Sequence, residues 1–223
     1  MNKKTFRVLT IGLVILFVAS GITAYFILAP KPNAIRVACV GDSLTQSSEY
    51  PYDLWKLLGN ATYTLRNFGA GATTVSLDSE TPYMNTSVFQ EALDFQPNIV
   101  IIMLGTNDAQ PSLHQYNTSF VADYVKVINA FKGLSRKPEI WVVLPPPIFS
   151  NQSGKISPEY FKTTIIPDIE QAANETNLPT IDVYSALASY PEYFPDGVHV
   201  NDAGAKLIAD EVYEAITSKN IAS

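Results

Sequence analysis

The feature that most constrains the fold is the segment Asn98–Leu104, in which every residue after the first is apolar and which ends at Gly105. An uninterrupted apolar run of this length is typical of a strand that is buried on both faces at the centre of a parallel sheet. Four further short segments are also predicted to be strands. They are Ile35–Val40, Tyr63–Phe68, Ile140–Leu144 and Thr180–Val183.

Segments between these strands carry apolar residues at helical spacing. The predicted helices are Tyr52–Leu58, Phe120–Leu134, Ile165–Ala173 with Pro167 in its first turn, and a last helix that is capped by Asn201 or Asp202 and runs to about Thr217. Strands that alternate with helices predict an α/β domain whose parallel sheet is covered on both faces. No internal repeat or long linker interrupts the pattern, so residues 35–223 are predicted to form one domain.

The N-terminus has the pattern of a membrane anchor. Lys3, Lys4 and Arg7 precede an apolar segment, residues 8–30, that is long enough to span a hydrocarbon core of roughly 30 Å. Because a positive flank stays in the cytoplasm, we predict a cytoplasmic segment at residues 1–7, a transmembrane signal-anchor at 8–30, a tether at 31–34 and an external domain. A cleaved signal peptide, which would release a secreted domain, is the alternative. Five Asn-x-Ser/Thr sequons agree with an external location: Asn60, Asn85, Asn117, Asn151 and Asn174.

Composition excludes several classes of function. The formal net charge of -6 provides no basic patch, so the chain is not expected to bind nucleic acid. The single cysteine, Cys39, lies in the first predicted strand, where a buried core residue without a disulfide is expected. A metal site of the Cys/His type is also excluded, because the only other soft ligands are His114 and His199. No cofactor or metal is therefore predicted.

Polar blocks follow the predicted strands, the last one after a loop. They are Gly41-Asp42-Ser43-Leu44-Thr45, Asn67-Phe68-Gly69-Ala70-Gly71-Ala72-Thr73, Gly105-Thr106-Asn107-Asp108 and Asp196-Gly197-Val198-His199. In parallel α/β sheets, ligands bind beyond the carboxyl ends of the strands. These four blocks are therefore where the chemistry of the chain is expected.

Together the blocks contain the parts of an acyl-transfer site. A serine hydroxyl needs an adjacent base, and His199 can take the proton of Ser43 and return it. Asp196 comes three residues before His199, so its carboxylate can accept the other imidazole N–H and fix the tautomer. A developing oxyanion needs hydrogen-bond donors. These are the Ser43 backbone N–H, a glycine N–H from the second block and the side-chain amide of Asn107.

In this order, the four blocks resemble those of the GDSL/SGNH hydrolase family, and the resemblance spans nearly all of residues 35–218. It implies a flavodoxin-like, three-layer α/β/α sandwich with a sheet of about five parallel strands. It also implies that Ser43 is the nucleophile and that Asp196 and His199 complete a catalytic triad. Asn107 and a second-block glycine would complete the oxyanion hole.

The second block departs from the family's frequent pattern, Asn-Phe-Gly-x-Ser-Gly-Ala-Thr, in which the later glycine is the oxyanion donor. Here the block is one residue short, or else Ala72 stands in the donor position. We predict Gly71 as the donor. Asp42 and Asp108 are predicted to support the site, whereas His114 lies in a polar segment without a carboxylate at useful spacing and is predicted to be a surface residue.

A divalent metal site is an alternative reading of the same blocks, because carboxylates and imidazole bind such ions. Its ligands would be Asp42, Asp108, Asp196 and His199. This alternative gives no role to Ser43 or Asn107, and the esterase is therefore favoured.

Two further segments, Pro145–Phe149 and Gly197–Ala209, resemble the branch of the family that is related to sialate and carbohydrate O-acetylesterases. The resemblance implies a serine esterase that removes a short acyl group, acetyl, from a carbohydrate or similar ester, and the N-terminal segment predicts that this esterase is tethered to a membrane and acts on an external substrate. A lysophospholipase or thioesterase that acts on lipid remains an alternative. So do an acyltransferase that uses a sugar as acceptor and a non-catalytic carbohydrate-binding module on the same fold.

Overall fold

The computed structural model describes residues 34–149 and 156–218. The described residues from Ile35 onward cluster into one compact unit. The predicted cytoplasmic segment, the signal-anchor and most of the tether lie outside the described residues, so membrane attachment stays a prediction. Within the two described stretches, no helix is both long enough and apolar enough to cross a membrane.

Five parallel strands form a sheet in the described part of the chain. They are β1 Ile35–Gly41, β2 Tyr63–Gly69, β3 Ile99–Met103, β4 Glu139–Leu144 and β5 Thr180–Asp182. The strand order is β2-β1-β3-β4-β5, and Val37 of β1 lies opposite Leu65 of β2 and Ile99 of β3. Each strand coincides with a predicted one, and the parallel α/β arrangement is confirmed.

The helices fill the connections between the strands. They are α1 Ser43–Gln46, α2 Tyr50–Leu58, α3 Ser87–Asp94, α4 Phe120–Lys132, α5 Pro158–Tyr160, α6 Ile166–Glu175, α7 Val183–Leu187 and α8 Asp202–Ser218. Short 3-10 turns lie at Tyr83–Asn85, Asn107–Ala109, Pro111–Ser119 and Pro191–Tyr193. Helices α2, α4, α6 and α8 match the predicted ones, whereas α1, α3 and α7 are additional.

The sheet separates two buried apolar clusters, because successive side chains of a strand point to opposite faces. On one face, Val40 and Val100 pack with residues of α3, α4 and α6. On the other face, Val37 and Ile101 pack with residues of α2 and α8, and the free Cys39 is fully buried there. Burial of each such aliphatic side chain stabilises the fold by roughly 1.5–3 kcal/mol. The fold is a three-layer α/β/α sandwich.

The helical segment around Pro167 begins earlier than predicted. Pro167 lies in the first turn of α6, as expected, but α6 continues directly from α5 through a π-helical turn at Phe161–Ile165. Ser157 caps the start of this segment, since its hydroxyl accepts the Tyr160 N–H at 3.2 Å. Proline lacks an N–H and clashes with the preceding turn of a regular helix. The wider π turn lets the helix pass this position without a break.

The end of β2 lies directly against the backbone of α1. A Cβ atom added at Gly69 would lie 2.2 Å from the backbone nitrogen of Gln46 and 2.6 Å from its Cα. Asn67 fixes this contact: its Nδ2 donates to the Thr45 carbonyl at 2.8 Å, and its Oδ1 accepts the Gly69 N–H at 2.8 Å. Position 69 therefore has no room for a side chain, and the contact sets where α1 lies.

Gly69→Ala is expected to lower the free energy of unfolding by about 1–3 kcal/mol, because the new methyl group meets rigid backbone instead of a flexible side chain. Chemical denaturation of the full-length protein measures this change. Gly133→Ala is the matched control, since a Cβ at Gly133 comes no closer than 3.3 Å to its neighbours. Equal, small effects for the two variants would contradict the packing described here.

Candidate active site

The site lies where the strand order reverses. β2 is on one side of β1, and β3 to β5 are on the other, so the crevice at the carboxyl ends of β1 and β3 is a topological switch point. β1 ends at Gly41 and leads into Asp42 and Ser43, while β3 ends at Met103 and leads into the turn that starts at Asn107. The first and third polar blocks therefore flank the same crevice, as predicted.

Ser43 is the first residue of α1, a single helical turn. Asp42 caps this turn, with its Oδ1 accepting the Leu44 N–H at 2.9 Å. The Ser47 N–H closes the turn on the Ser43 carbonyl at 2.9 Å. The Ser43 side chain is partly exposed, and its backbone N–H has no hydrogen-bond acceptor among the described residues. The hydroxyl is thus carried on a capped turn that opens to the crevice.

Ser43, His199 and Asp196 form a continuous hydrogen-bonded relay. The Ser43 Oγ lies 2.9 Å from the His199 Nε2, and the His199 Nδ1 lies 2.6 Å from the Asp196 Oδ2. A carboxylate can only accept hydrogen bonds, so the Nδ1 carries the hydrogen and the Nε2 lone pair faces the serine hydroxyl. The structure therefore brings together the three residues that the sequence analysis assigned to a triad.

Asp196 is held as an anion. Partial burial raises the pKa of this carboxyl, but hydrogen bonds from the His199 side chain and from the backbone N–H groups of His199 and Val198 outweigh burial, and the net pKa is lowered. The two backbone N–H groups donate to Oδ1 at 2.7 and 2.9 Å. The charge of Asp196 is therefore available to stabilise an imidazolium on His199.

Backbone hydrogen bonds hold the loop that carries Asp196 and His199. The Gly197 carbonyl accepts the Phe149 N–H at 2.9 Å, which ties this loop to the segment after β4. On the other side, the Asn201 N–H donates to the Tyr193 carbonyl at 2.8 Å. The loop is thus fixed at both ends although the His199 side chain is about half exposed.

Asn107 lies at the start of the 3-10 turn after β3 and is 8% exposed. Its Nδ2 donates one hydrogen to the Thr73 carbonyl at 2.9 Å. A primary amide has two N–H groups, so one hydrogen remains for a further acceptor. Asn107 thereby joins the third block to Thr73 of the second block.

Asp108 supports the loop that follows the second block. Its Oδ2 accepts the Val75 N–H at 2.9 Å, and its Oδ1 accepts the Ser76 N–H at 2.9 Å and the Ser76 hydroxyl at 2.8 Å. Complete burial raises the pKa of Asp108 to about 6, against these hydrogen bonds, which lower it. The predicted supporting role of Asp108 thus has a concrete form, which is to fix the backbone at residues 75 and 76.

The second block distinguishes the two candidate oxyanion donors. The Gly71 N–H donates to the side-chain Oε1 of Gln46 at 3.0 Å. Ala72 adopts a positive φ of 60°, a conformation that favours glycine, and its N–H has no acceptor among the described residues. The choice of Gly71 therefore stays a prediction that requires Gln46 to move, whereas the Ala72 N–H is unoccupied by protein.

His114 is not part of the relay. Its ring stacks on Tyr160 with centroids 3.6 Å apart, and its Nε2 lies 3.4 Å from the Ala109 carbonyl. The prediction of a surface residue is right only in part, because His114 is half-buried. The residue that the sequence analysis missed is Gln46, whose position one turn after Ser43 was the available signal.

Asp42 is fully buried beneath the site, and burial raises its pKa to about 6 although the Leu44 N–H lowers it. The second carboxyl oxygen, Oδ2, has no hydrogen-bond partner among the described residues. An unfolded aspartate has a pKa of about 3.9. Between these two values the folded protein holds the proton more tightly than the unfolded chain does. The contribution of Asp42 to stability is therefore present at low pH and is lost as the pH rises to about 6.

We expect Asp42→Asn to remove this pH-dependent contribution of Asp42 to the free energy of unfolding. The free energy of unfolding of the wild type, relative to that of the variant, should fall by about 2 kcal/mol between pH 4 and pH 7. Urea denaturation of both proteins at the two pH values measures the difference. A difference that does not depend on pH would show that Asp42 has no raised pKa in the folded state.

Comparisons with known proteins agree with this architecture. A carbohydrate acetylesterase family member from Sinorhizobium meliloti superposes with a TM-score of 0.65 at 20% identity, over 82% of this chain and 97% of that one. The acetyl xylan esterase AlAXEase superposes with a TM-score of 0.68 at 20% identity, over 82% of this chain and 100% of that one. At such identities the likeness concerns the fold.

Comparisons of the sequence identify the family of the chain as well as its fold. An acetylxylan esterase from Xylanibacter ruminicola is 33% identical over 84% of this chain, and the match spans 44% of the length of that relative. The model of the GDSL-like Lipase/Acylhydrolase family matches residues 39–207, which include all four polar blocks. The chain therefore belongs to the GDSL-like lipase/acylhydrolase family, a family of carboxylic ester hydrolases.

Proposed function

We propose that Ser43 is the nucleophile of a serine ester hydrolase, which transfers the acyl group of its substrate first to Ser43 and then to water. The observation that carries the proposal is the relay in which the Ser43 Oγ lies 2.9 Å from His199 and His199 lies 2.6 Å from Asp196. These distances are within the range that proton transfer from nucleophile to base requires.

In the first half-reaction, the Ser43 Oγ attacks the ester carbonyl carbon while its proton passes to the His199 Nε2. The Asp196 carboxylate stabilises the resulting imidazolium. The tetrahedral intermediate then collapses, and the alcohol leaves with the proton from His199. The acyl group remains bound to Ser43 as an ester.

The oxyanion of this intermediate needs donors in the crevice. We assign the Ser43 N–H and the second amide hydrogen of Asn107, neither of which is used by the described protein. For the third donor we favour Ala72 over Gly71, because the Gly71 N–H already donates to Gln46. A single donor of this kind lowers the barrier by about 2.7–4 kcal/mol.

In the second half-reaction, water attacks the acyl-enzyme and gives a proton to His199. The tetrahedral intermediate releases the carboxylic acid, and His199 returns the proton to the Ser43 oxygen. The nucleophile is thus restored without a cofactor. Attack by a sugar hydroxyl instead of water would transfer the acyl group.

A short acyl group, acetyl foremost, on a carbohydrate is the proposed substrate. The relative from Xylanibacter ruminicola is an acetylxylan esterase. The site itself agrees, because the side chains of His199 and Asp196 are 48% and 52% exposed. Each methylene of a longer acyl chain favours binding by about 0.8 kcal/mol only where it is buried, and such an open centre provides little burial.

Ser43→Ala in the full-length protein is expected to lower kcat for p-nitrophenyl acetate at least about 10³-fold, because no other hydroxyl of residues 34–149 and 156–218 is hydrogen-bonded to His199. Ser135→Ala is the matched control. Ser135 is exposed and precedes β4, so it lies near the amino end of that strand, whereas the site lies at the carboxyl ends. Its hydroxyl donates a hydrogen bond to Gln96. Steady-state kinetics should show the control at the wild-type rate, and equal rates for wild type and Ser43→Ala would refute the proposed nucleophile.

The same assay with p-nitrophenyl esters of increasing chain length tests the acyl group. The rate is expected to fall from acetate to octanoate. A rate that rises toward chains of about eight carbons would instead favour a lysophospholipase or thioesterase, since longer chains require apolar burial. A folded protein that hydrolyses no ester would favour a carbohydrate-binding module on this fold.

A further inference from the structure

A groove of about 360 Å³ lies beside α1, between α2 and β2, and its lining includes none of the three residues of the Ser43–His199–Asp196 relay. Its volume falls within the range of small-molecule sites, roughly 300–1,000 Å³. The residues that matter for its chemistry are Gln46, Ser47, Glu49, Tyr52, Trp55 and Asn67. We propose that this groove binds the neutral, pyranose-based chain that bears the ester, an inference that rests on the function proposed above.

An aromatic pair forms the apolar part of the groove. The rings of Tyr52 and Trp55 stack with centroids 5.8 Å apart and an interplanar angle of 27°. Both residues belong to α2, where a spacing of three places them on one face. Tyr52 is 53% exposed, and Trp55 is partly exposed. The electron-rich faces of aromatic rings attract weakly positive C–H groups, which line the faces of a pyranose ring.

The polar part of the groove suits hydroxyl groups. Ser47 and Glu49 are exposed and can exchange hydrogen bonds with a sugar, Ser47 as donor or acceptor and Glu49 as acceptor. Alternating hydroxyls and C–H faces are the chemistry of a carbohydrate, and the groove presents both kinds of partner.

The charges favour a neutral ligand. Among the described residues, Glu49 is the only carboxylate that lines the groove, and no Lys, Arg or His side chain of these residues lines it. The nearby Lys56 lies over the Tyr52 ring at 4.6 Å and pairs with Asp53 at 2.6 Å, so its charge is already engaged. A phosphate headgroup or an acidic sugar would meet Glu49 without a counter-charge. A neutral sugar chain avoids this cost.

Gln46 joins the groove to the reacting centre. It lines the groove, and its Oε1 accepts the Gly71 N–H at 3.0 Å. A Cβ added at Gly71 would lie 2.6 Å from that oxygen and 3.9 Å from the Cβ of Ser43. Gln46, at the inner end of the groove, therefore contacts the backbone of Gly71, which lies beside Ser43. A sugar held on Tyr52 and Trp55 would present an acetyl group from that side.

Kinetics on two substrates test the groove separately from the chemistry. With the full-length protein, Trp55→Ala is expected to lower kcat/KM for acetylated xylo-oligosaccharides about tenfold, because one stacking partner is lost. The rate with p-nitrophenyl acetate, which carries no sugar chain, should stay within about twofold. Trp55→Phe, which keeps an aromatic face, should recover most of the loss. Leu57→Ala is the matched control, because Leu57 is 40% exposed on the same helix but does not line the groove.

A fall of kcat/KM by the same factor on both substrates, or no fall on either, would overturn the proposal. Isothermal titration of unacetylated xylohexaose into Ser43→Ala protein provides a readout that needs no catalysis. Binding that is lost in the Ser43→Ala/Trp55→Ala double variant is expected. Equal binding by the single and double variants would show that the sugar does not bind in this groove. This conclusion would hold even if the wild type hydrolysed no ester, because the titration does not depend on catalysis.

Discussion

The hydrogen bond between Ser43 and His199 joins two segments that are 156 residues apart in sequence, and the candidate site depends on it. The parallel sheet makes it possible, because the carboxyl ends of all strands point to one edge and the order reverses between β1 and β3. The core supplies the rigidity. Two apolar clusters fix β1 and α8 on the same frame, so the nucleophile and its base approach without either being buried.

Hydrogen bonds from polar side chains fix the loops around the site on this frame. Asn67 ties the end of β2 to α1, Asn107 ties the third block to Thr73, and Asp108 holds the backbone beyond it. Buried carboxyls destabilise the protein at neutral pH, as the raised pKa of Asp42 and that of Asp108 indicate. The two destabilising carboxyls lie where they fix the backbone around the crevice: Asp42 caps α1, and Asp108 holds residues 75 and 76.

Most of the frame was predictable, because long apolar runs such as the one that forms β3 have few alternative structures. Helix α3 was missed because its buried face consists of only Phe89 and Ala92, although the Thr86 cap was a usable signal. The bond between Gly71 and Gln46 could not be predicted. It depends on the rotamer of the Gln46 side chain, which leaves no periodic signal in the sequence.

The central claim is that His199 activates Ser43 for attack on an acyl carbon. Labelling of the native, full-length protein with a fluorophosphonate, followed by peptide mass spectrometry, tests it most directly, because this probe reacts with activated serines. The account predicts a single adduct at Ser43 that forms at least about 10²-fold more slowly in His199→Ala, since the base is then absent. No adduct at Ser43, or one that forms equally fast without His199, would contradict it.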